Sequence, residues 1–192
     1  MNLDAKSFLD PLLGRTATFI VDGRSANLAL AGALMSASAQ SGVKPRVLDL
    51  NAFYSSNAEV VFRHVPPDVR GSILLDLPNP GSAIGPNISG LFDLQRGMVV
   101  IDSLNTLHHL LSRSGRGLSF ITSALSVFCR ANGSMVLMTM YKREGPPGTE
   151  RRGSLSELSD LELHARVEGD NLVMRCTRGK AWPGNALIVR TT

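Results

Sequence analysis

Short runs of core-type residues alternate with helical stretches along this chain, and that alternation is what most restricts the folds open to it. Thr16 to Val21 (TATFIV) is rich in β-branched side chains and stops at Asp22-Gly23, which reads as an inner strand ending in a turn. Ser25 to Gln40 follows, built from good helix formers and small residues, with Ser25 placed to cap its start and Gly42 to end it. Arg46 to Leu50 reads as the next strand, Asn57 to His64 as a short helix stopped by Pro66-Pro67, and Ser72 to Leu77 as a third strand. The Pro/Gly-rich stretch Pro78 to Asn87 is a loop, with a helix expected from Ile88 to Gln95. Met98 to Asp102 (MVVID) is a central strand. Leu104 to Leu111 and Leu118 to Asn132 carry helical periodicity on either side of a basic, flexible connection, Ser112 to Gly117. Ser134 to Met140 is a further buried strand and Tyr141 to Gly153 a polar surface loop. Ser154 to Leu158 reads as a turn or helix. Strands near Leu161 to Val167, Asn171 to Cys176 and Ala186 to Arg190 close the chain, the first two joined by a hairpin turn at Glu168-Gly169-Asp170-Asn171. The expected fold class is therefore α/β: a three-layer sandwich around a mainly parallel sheet, with antiparallel strands added at the C-terminal edge.

Composition fits one such domain spanning 1–192. Hydrophobic residues make up 43% and charged residues 19%, enough apolar material for a core and too little charge for a disordered chain. Twenty Lys+Arg against sixteen Asp+Glu leave +4, a basic excess that permits a nucleic-acid partner without requiring one. Cys129 and Cys176 lie far apart, with neither metal-site spacing nor the density of a disulfide scaffold, and read as buried small hydrophobes. The first residues carry acids where a secretory leader needs basic ones, and no apolar run approaches the roughly 20 residues that span a bilayer. A cytoplasmic protein with no membrane partner is expected, and the sequon at Asn87 is a coincidence. His108 and His109 are adjacent, so they face different sides of a helix and do not form a metal pair; no metal site is expected.

In open α/β sheets ligands bind beyond the carboxyl ends of the strands, which makes Asp22-Gly23-Arg24-Ser25-Ala26-Asn27 the first turn to inspect. A phosphate-cradling loop needs glycines, a Lys for the terminal phosphates and a Ser/Thr for magnesium, spaced G-x-x-x-x-G-K-[ST]. Counted from Gly23, the Lys position holds Ala29; in a shortened loop Ser25, Ala26 or Asn27 falls there instead. The helix N-terminus with Arg24 beside it can still attract an anion, or the turn is purely structural. Asp102, after four apolar residues, occupies the kind of strand end that holds a magnesium-coordinating carboxylate in nucleotide hydrolases, and equally the kind that caps a following helix.

Taken together, these features resemble the RecA/KaiC superfamily of phosphate-loop ATPases. Val99-Val100-Ile101-Asp102-Ser103-Leu104 is similar to their second nucleotide motif. Ser156 to Leu163, followed by Arg175-Cys176-Thr177-Arg178-Gly179-Lys180, is similar to their terminal strand and basic hairpin, and Phe8 to Gly14 to the segment before their first strand. The resemblance covers nearly the whole chain, but the catalytic equipment departs from it. The phosphate-loop Lys and Ser/Thr are missing between Gly23 and Leu30, and Asp49-Leu50-Asn51-Ala52 offers no Glu to activate water. The chain thus looks like a degenerate member, similar in this respect to Elongator accessory subunits and recombinase paralogues. No ATP hydrolysis and no cofactor are expected, with weak nucleotide or anion binding at Gly23, Arg24, Ser25 and Asp102 left open.

In RecA-like recombinases, loops after the motif-bearing strands contact DNA, and the matching segments here are basic. Arg113 and Arg116 have no nearby acid, and Lys142, Arg143, Arg151 and Arg152 outnumber Glu144 and Glu150. Phosphate contacts need mobile cations, and Tyr141 could stack on a base, although soluble basic loops look the same. The terminal hairpin, with Arg175, Arg178, Lys180 and Trp182, faces a neighbouring subunit in the family; a basic edge strand guarded against aggregation reads alike. The implied function is a non-catalytic, nucleic-acid-binding accessory subunit in DNA recombination or repair, or in transfer-RNA binding like the Elongator subunits. Single-stranded DNA or RNA and a homo- or hetero-oligomer with RecA-like subunits are its implied partners. The alternative is a pseudo-ATPase scaffold for an active RecA-like partner that touches no nucleic acid.

Overall fold

The computed structural model describes residues 4–78, 84–93, 95–111, 115–141 and 159–191. Eight strands form one sheet: β1 (Thr16–Val21), β2 (Pro45–Asp49), β3 (Leu74–Asp76), β4 (Met98–Asp102), β5 (Met135–Tyr141), β6 (Leu161–Glu168), β7 (Asn171–Arg178) and β8 (Ala186–Arg190). Their order is β3-β2-β4-β5-β1-β6-β7-β8. Strands β1 to β6 run parallel, so the expected antiparallel edge begins one strand later than the sequence suggests. The first terminal strand, β6, pairs parallel with β1, and only β7 and β8 turn back.

The strands are inner strands because both their faces are apolar. Along β4, Met98 and Val100 join one core while Val99 and Ile101 join a second; along β5, Met135 and Leu137 face the first, and Val136 and Met138 the second. The first core is covered by α1 (Ala5–Leu9), α2 (Gly23–Ser41), α3 (Phe53–Ser56) and α4 (Ala58–Val61). The second is covered by α7 (Leu104–Leu110) and α8 (Gly115–Asn132), with Ile88 of α6 (Gly85–Gly90) packed against it. A short α5 (Pro67–Arg70) precedes β3. Buried Ala26, Ala31, Gly32, Ala33 and Ala37 let α2 lie close on the sheet.

Several boundaries move for identifiable reasons. Helix α2 starts at Gly23 rather than Ser25, because Gly23 takes a φ of 81° and turns the chain into the helix directly after Asp22. The helix expected over 57–64 is instead two single turns, α3 and α4, and α3 forms where Asp49 caps it: Oδ1 accepts the backbone N–H groups of Phe53 (2.7 Å) and Tyr54 (3.2 Å). Its Oδ2 accepts the N–H (2.9 Å) and hydroxyl (3.0 Å) of Ser55. Helix α6 begins inside the expected Pro/Gly loop, with Pro86 in its first turn, where a missing N–H costs nothing. Helix α8 takes in Arg116 and Gly117, shortening the expected basic connection, and β5 extends to Tyr141. The turn or helix expected over 154–158 lies outside the described residues. Among the described residues no helix is long and apolar enough to cross a membrane.

Candidate functional site at the carboxyl edge of the sheet

The carboxyl ends of β1, β2, β4 and β5 meet the start of α2, the point at which an open α/β sheet holds its ligands. A single residue, Asp22, separates β1 from α2; its N–H donates to the carbonyl of Ala165 at 2.9 Å. Gly23, Arg24 and Ser25 lie exposed on the rim, and Arg24 donates to Oδ1 of Asn57 at 2.9 Å. One turn further on, Asn27 points inward and is fully buried.

Asn27 leads to Asp102, the last residue of β4, which is also fully buried. The Thr139 hydroxyl donates to Asp102 Oδ1, and Asn27 Nδ2 lies 3.5 Å from the same oxygen. Asn27 Nδ2 also donates to the Tyr141 hydroxyl at 2.6 Å. Strand alternation places Asp102, Thr139 and Tyr141 on the α2 side, and Asp49 is opposite Asp102 in the β2–β4 ladder. The α3 cap brings the fully buried Tyr54 to the same cluster. Among the described residues Asn27 Oδ1, the Tyr54 hydroxyl and Asp102 Oδ2 find no hydrogen-bond partner.

The electrostatics follow from this enclosure. Burial drives the Asp102 carboxyl up from 3.8 to about 6 and the negative charge of Asp49 adds to it, while the hydrogen bonds from Thr139 and Asn27 work against it. Burial, reinforced by Asp102, lifts the Tyr141 phenol to about 12, and burial with the same two carboxylates carries Tyr54 well above its usual range. Asp102 does not cap α7: Ser103 is the N-cap residue, and no side chain bonds there. The helix-capping reading of Asp102 is corrected accordingly. Asp49, the other carboxylate at the edge, is committed to α3. Among the described residues no group of three or more His, Cys, Asp or Glu is placed to hold a metal ion.

The remaining sequence-selected residues are dispersed. Tyr141 ends β5 half-buried instead of standing in a loop; its N–H donates to Asn105 Oδ1 at 3.1 Å and its hydroxyl faces the cluster. Arg116 is exposed in the first turn of α8, on the opposite side of the sheet. Arg113, Lys142, Arg143, Arg151 and Arg152 lie outside the described residues. In the terminal hairpin Arg175 and Lys180 are exposed, and Arg178 donates to the carbonyl (2.7 Å) and hydroxyl (3.2 Å) of Ser159. Trp182 is only 4% exposed and stacks on Phe8 with ring centres 6.2 Å apart, so its ring belongs to the core and is not an exposed contact. Asn27, Tyr54 and Thr139 form the cluster with Asp102 and were not selected from the sequence. The available signal was the two-residue spacing of Thr139 and Tyr141, which puts both on the face that carries Asp102.

The strand order, the helices on both faces and the two antiparallel terminal strands define a RecA-like α/β fold. The chain is similar in structure to the crystal structure of the RadB recombinase, with a TM-score of 0.72 over 100% of this chain and 96% of that one. Sequence identity is 18%, so the likeness is one of fold. No protein-family model matches the sequence, and no curated protein matches it.

Proposed function

We propose that this chain is a non-catalytic RecA-like accessory subunit that binds nucleic acid in the cytoplasm, in the setting of DNA recombination or repair. The observation that carries the non-catalytic part is the head of α2. One residue between strand and helix leaves no loop to wrap a phosphate chain, and Asn27 lies over the carboxylate that a magnesium ion would need. A magnesium nucleotide does not fit these residues, since Asp102 is sealed from solvent by its neighbours and Asp49 is spent as a cap. This geometry supports a chain that uses no nucleotide cofactor, with Arg24 and Ser25 at the rim retaining at most anion attraction.

Nucleic-acid contact falls to the basic residues that follow β4 and β5, namely Arg113, Arg116, Lys142, Arg143, Arg151 and Arg152. A solved structure that shares the fold is named a recombinase, which favours recombination or repair over transfer RNA. RecA-like subunits, of the same or another chain, are the partners, with Arg175 and Lys180 available on the exposed hairpin. The test is a titration with labelled single-stranded DNA and transfer RNA across a salt series, beside an Arg143→Ala/Arg151→Ala/Arg152→Ala variant. Binding that falls steeply with salt and is lost in the variant supports the proposal. Absence of binding to either at low salt overturns it in favour of a scaffold that pairs with an active RecA-like partner.

A further inference from the structure

Helix α8 has an outer face that none of the other described residues covers. Leu118, Thr122, Leu125 and Cys129 are fully buried and face the sheet. At 100° per residue, Phe120 and Val127 lie about 180° from that line and one above the other, seven residues apart. They are 74% and 67% exposed, the two most exposed large apolar side chains among the described residues. Exposed Arg116, Ser123 and Arg130 complete the stripe. Between Gly115 and Asn132 the sequence has two arginines and no Asp or Glu, and Arg130 already pairs with Asp160.

We infer that this stripe is a docking surface for a short, acidic, amphipathic helix of another protein. Phe120 and Val127 are spaced for two anchors of a partner helix laid along α8, and Arg116 supplies the charge that an acidic end recognises. Charge argues against a second copy of this chain. Two α8 stripes face to face set Arg116, which no carboxylate of α8 offsets, against Arg116 or the Asp160-paired Arg130 of the second copy. Arg116 is also among the residues proposed to contact nucleic acid, but the apolar stripe does not depend on that binding.

The experiment pans short random displayed peptides against the full chain, beside a Phe120→Ser/Val127→Ser variant and an Arg116→Glu variant. All three substituted side chains are exposed, so unchanged melting curves establish that the variants fold. Enriched peptides are expected to carry apolar residues three, four or seven apart with an excess of Asp and Glu. Their affinity should fall about tenfold or more in the double variant and several-fold in Arg116→Glu. Enrichment of neutral or basic peptides, no enrichment, or enrichment indifferent to the substitutions overturns the inference. So does sedimentation that shows a wild-type dimer abolished by the double variant, which assigns the stripe to a second copy. Loss of single-stranded DNA binding in the double variant with no peptide enriched assigns it to nucleic acid instead.

Discussion

Replacing Asp102 with asparagine isolates the cost of enclosing a carboxylate that has no cation beside it among the described residues. The rise from 3.8 to about 6, at about 1.4 kcal/mol per pKa unit, makes the charged form about 3 kcal/mol harder to hold in the folded protein than in the unfolded chain. The folded state holds this proton more tightly, so stability from this group is complete below about pH 4 and falls as pH rises towards 6. Above that the full cost is present. Asparagine keeps an acceptor for Thr139 and is neutral throughout, its N–H group replacing an oxygen that has no partner among the described residues. Asp102→Asn is therefore expected to be more stable than the wild type by up to about 3 kcal/mol at pH 8, narrowing to about 1 kcal/mol at pH 4.5. Urea unfolding followed by fluorescence of the sole tryptophan, Trp182, buried against Phe8, reads this directly. A variant less stable at pH 8, or a difference that does not change with pH, would refute the reasoning.

The same cluster makes two further predictions. Asn27→Ala deprives the Tyr141 hydroxyl and Asp102 Oδ1 of a buried donor and should cost about 1–3 kcal/mol in the same assay. Tyr54→Phe removes a buried hydroxyl that has no partner among the described residues, so it should be neutral or stabilising by about 1 kcal/mol; a loss above that in urea unfolding would mean the hydroxyl is bonded. Away from the cluster, Gly179 has a φ of 85°, and a Cβ there would lie 2.5 Å from Leu161 Cδ2 and 3.0 Å from the Asp160 carbonyl. Gly179→Ala should lower stability by about 1–3 kcal/mol, seen as a depressed melting temperature.

Much of the fold was legible because inner parallel strands announce themselves as apolar runs. TATFIV, MVVID and SMVLMTM each fall within a residue or so of β1, β4 and β5. Short elements were harder to read, since the turn Phe53–Ser56 takes its shape from the Asp49 carboxylate and not from its own periodicity. The strand ends of the site were visible through Asp102, but its partners were not. Asn27, Tyr54 and Thr139 come from three separate segments that meet only through the sheet order, which no local spacing encodes. Trp182 looked like an exposed hairpin residue because the contact that buries it, Phe8, lies at the other end of the chain. Tyr141 misled for a related reason: its polar neighbours in sequence mark a loop, while the hydrogen bond to Asn27 holds it at the end of β5.

The measurement that bears most directly on the proposed role is the affinity for a labelled single strand of DNA at low salt, with and without magnesium ATP. A non-catalytic RecA-like subunit with a closed head of α2 should bind the strand, lose it as salt rises, and show the same affinity whether or not the nucleotide is present. Binding that appears or strengthens only with magnesium ATP would contradict the closed nucleotide site, and no binding under either condition would contradict the nucleic-acid role.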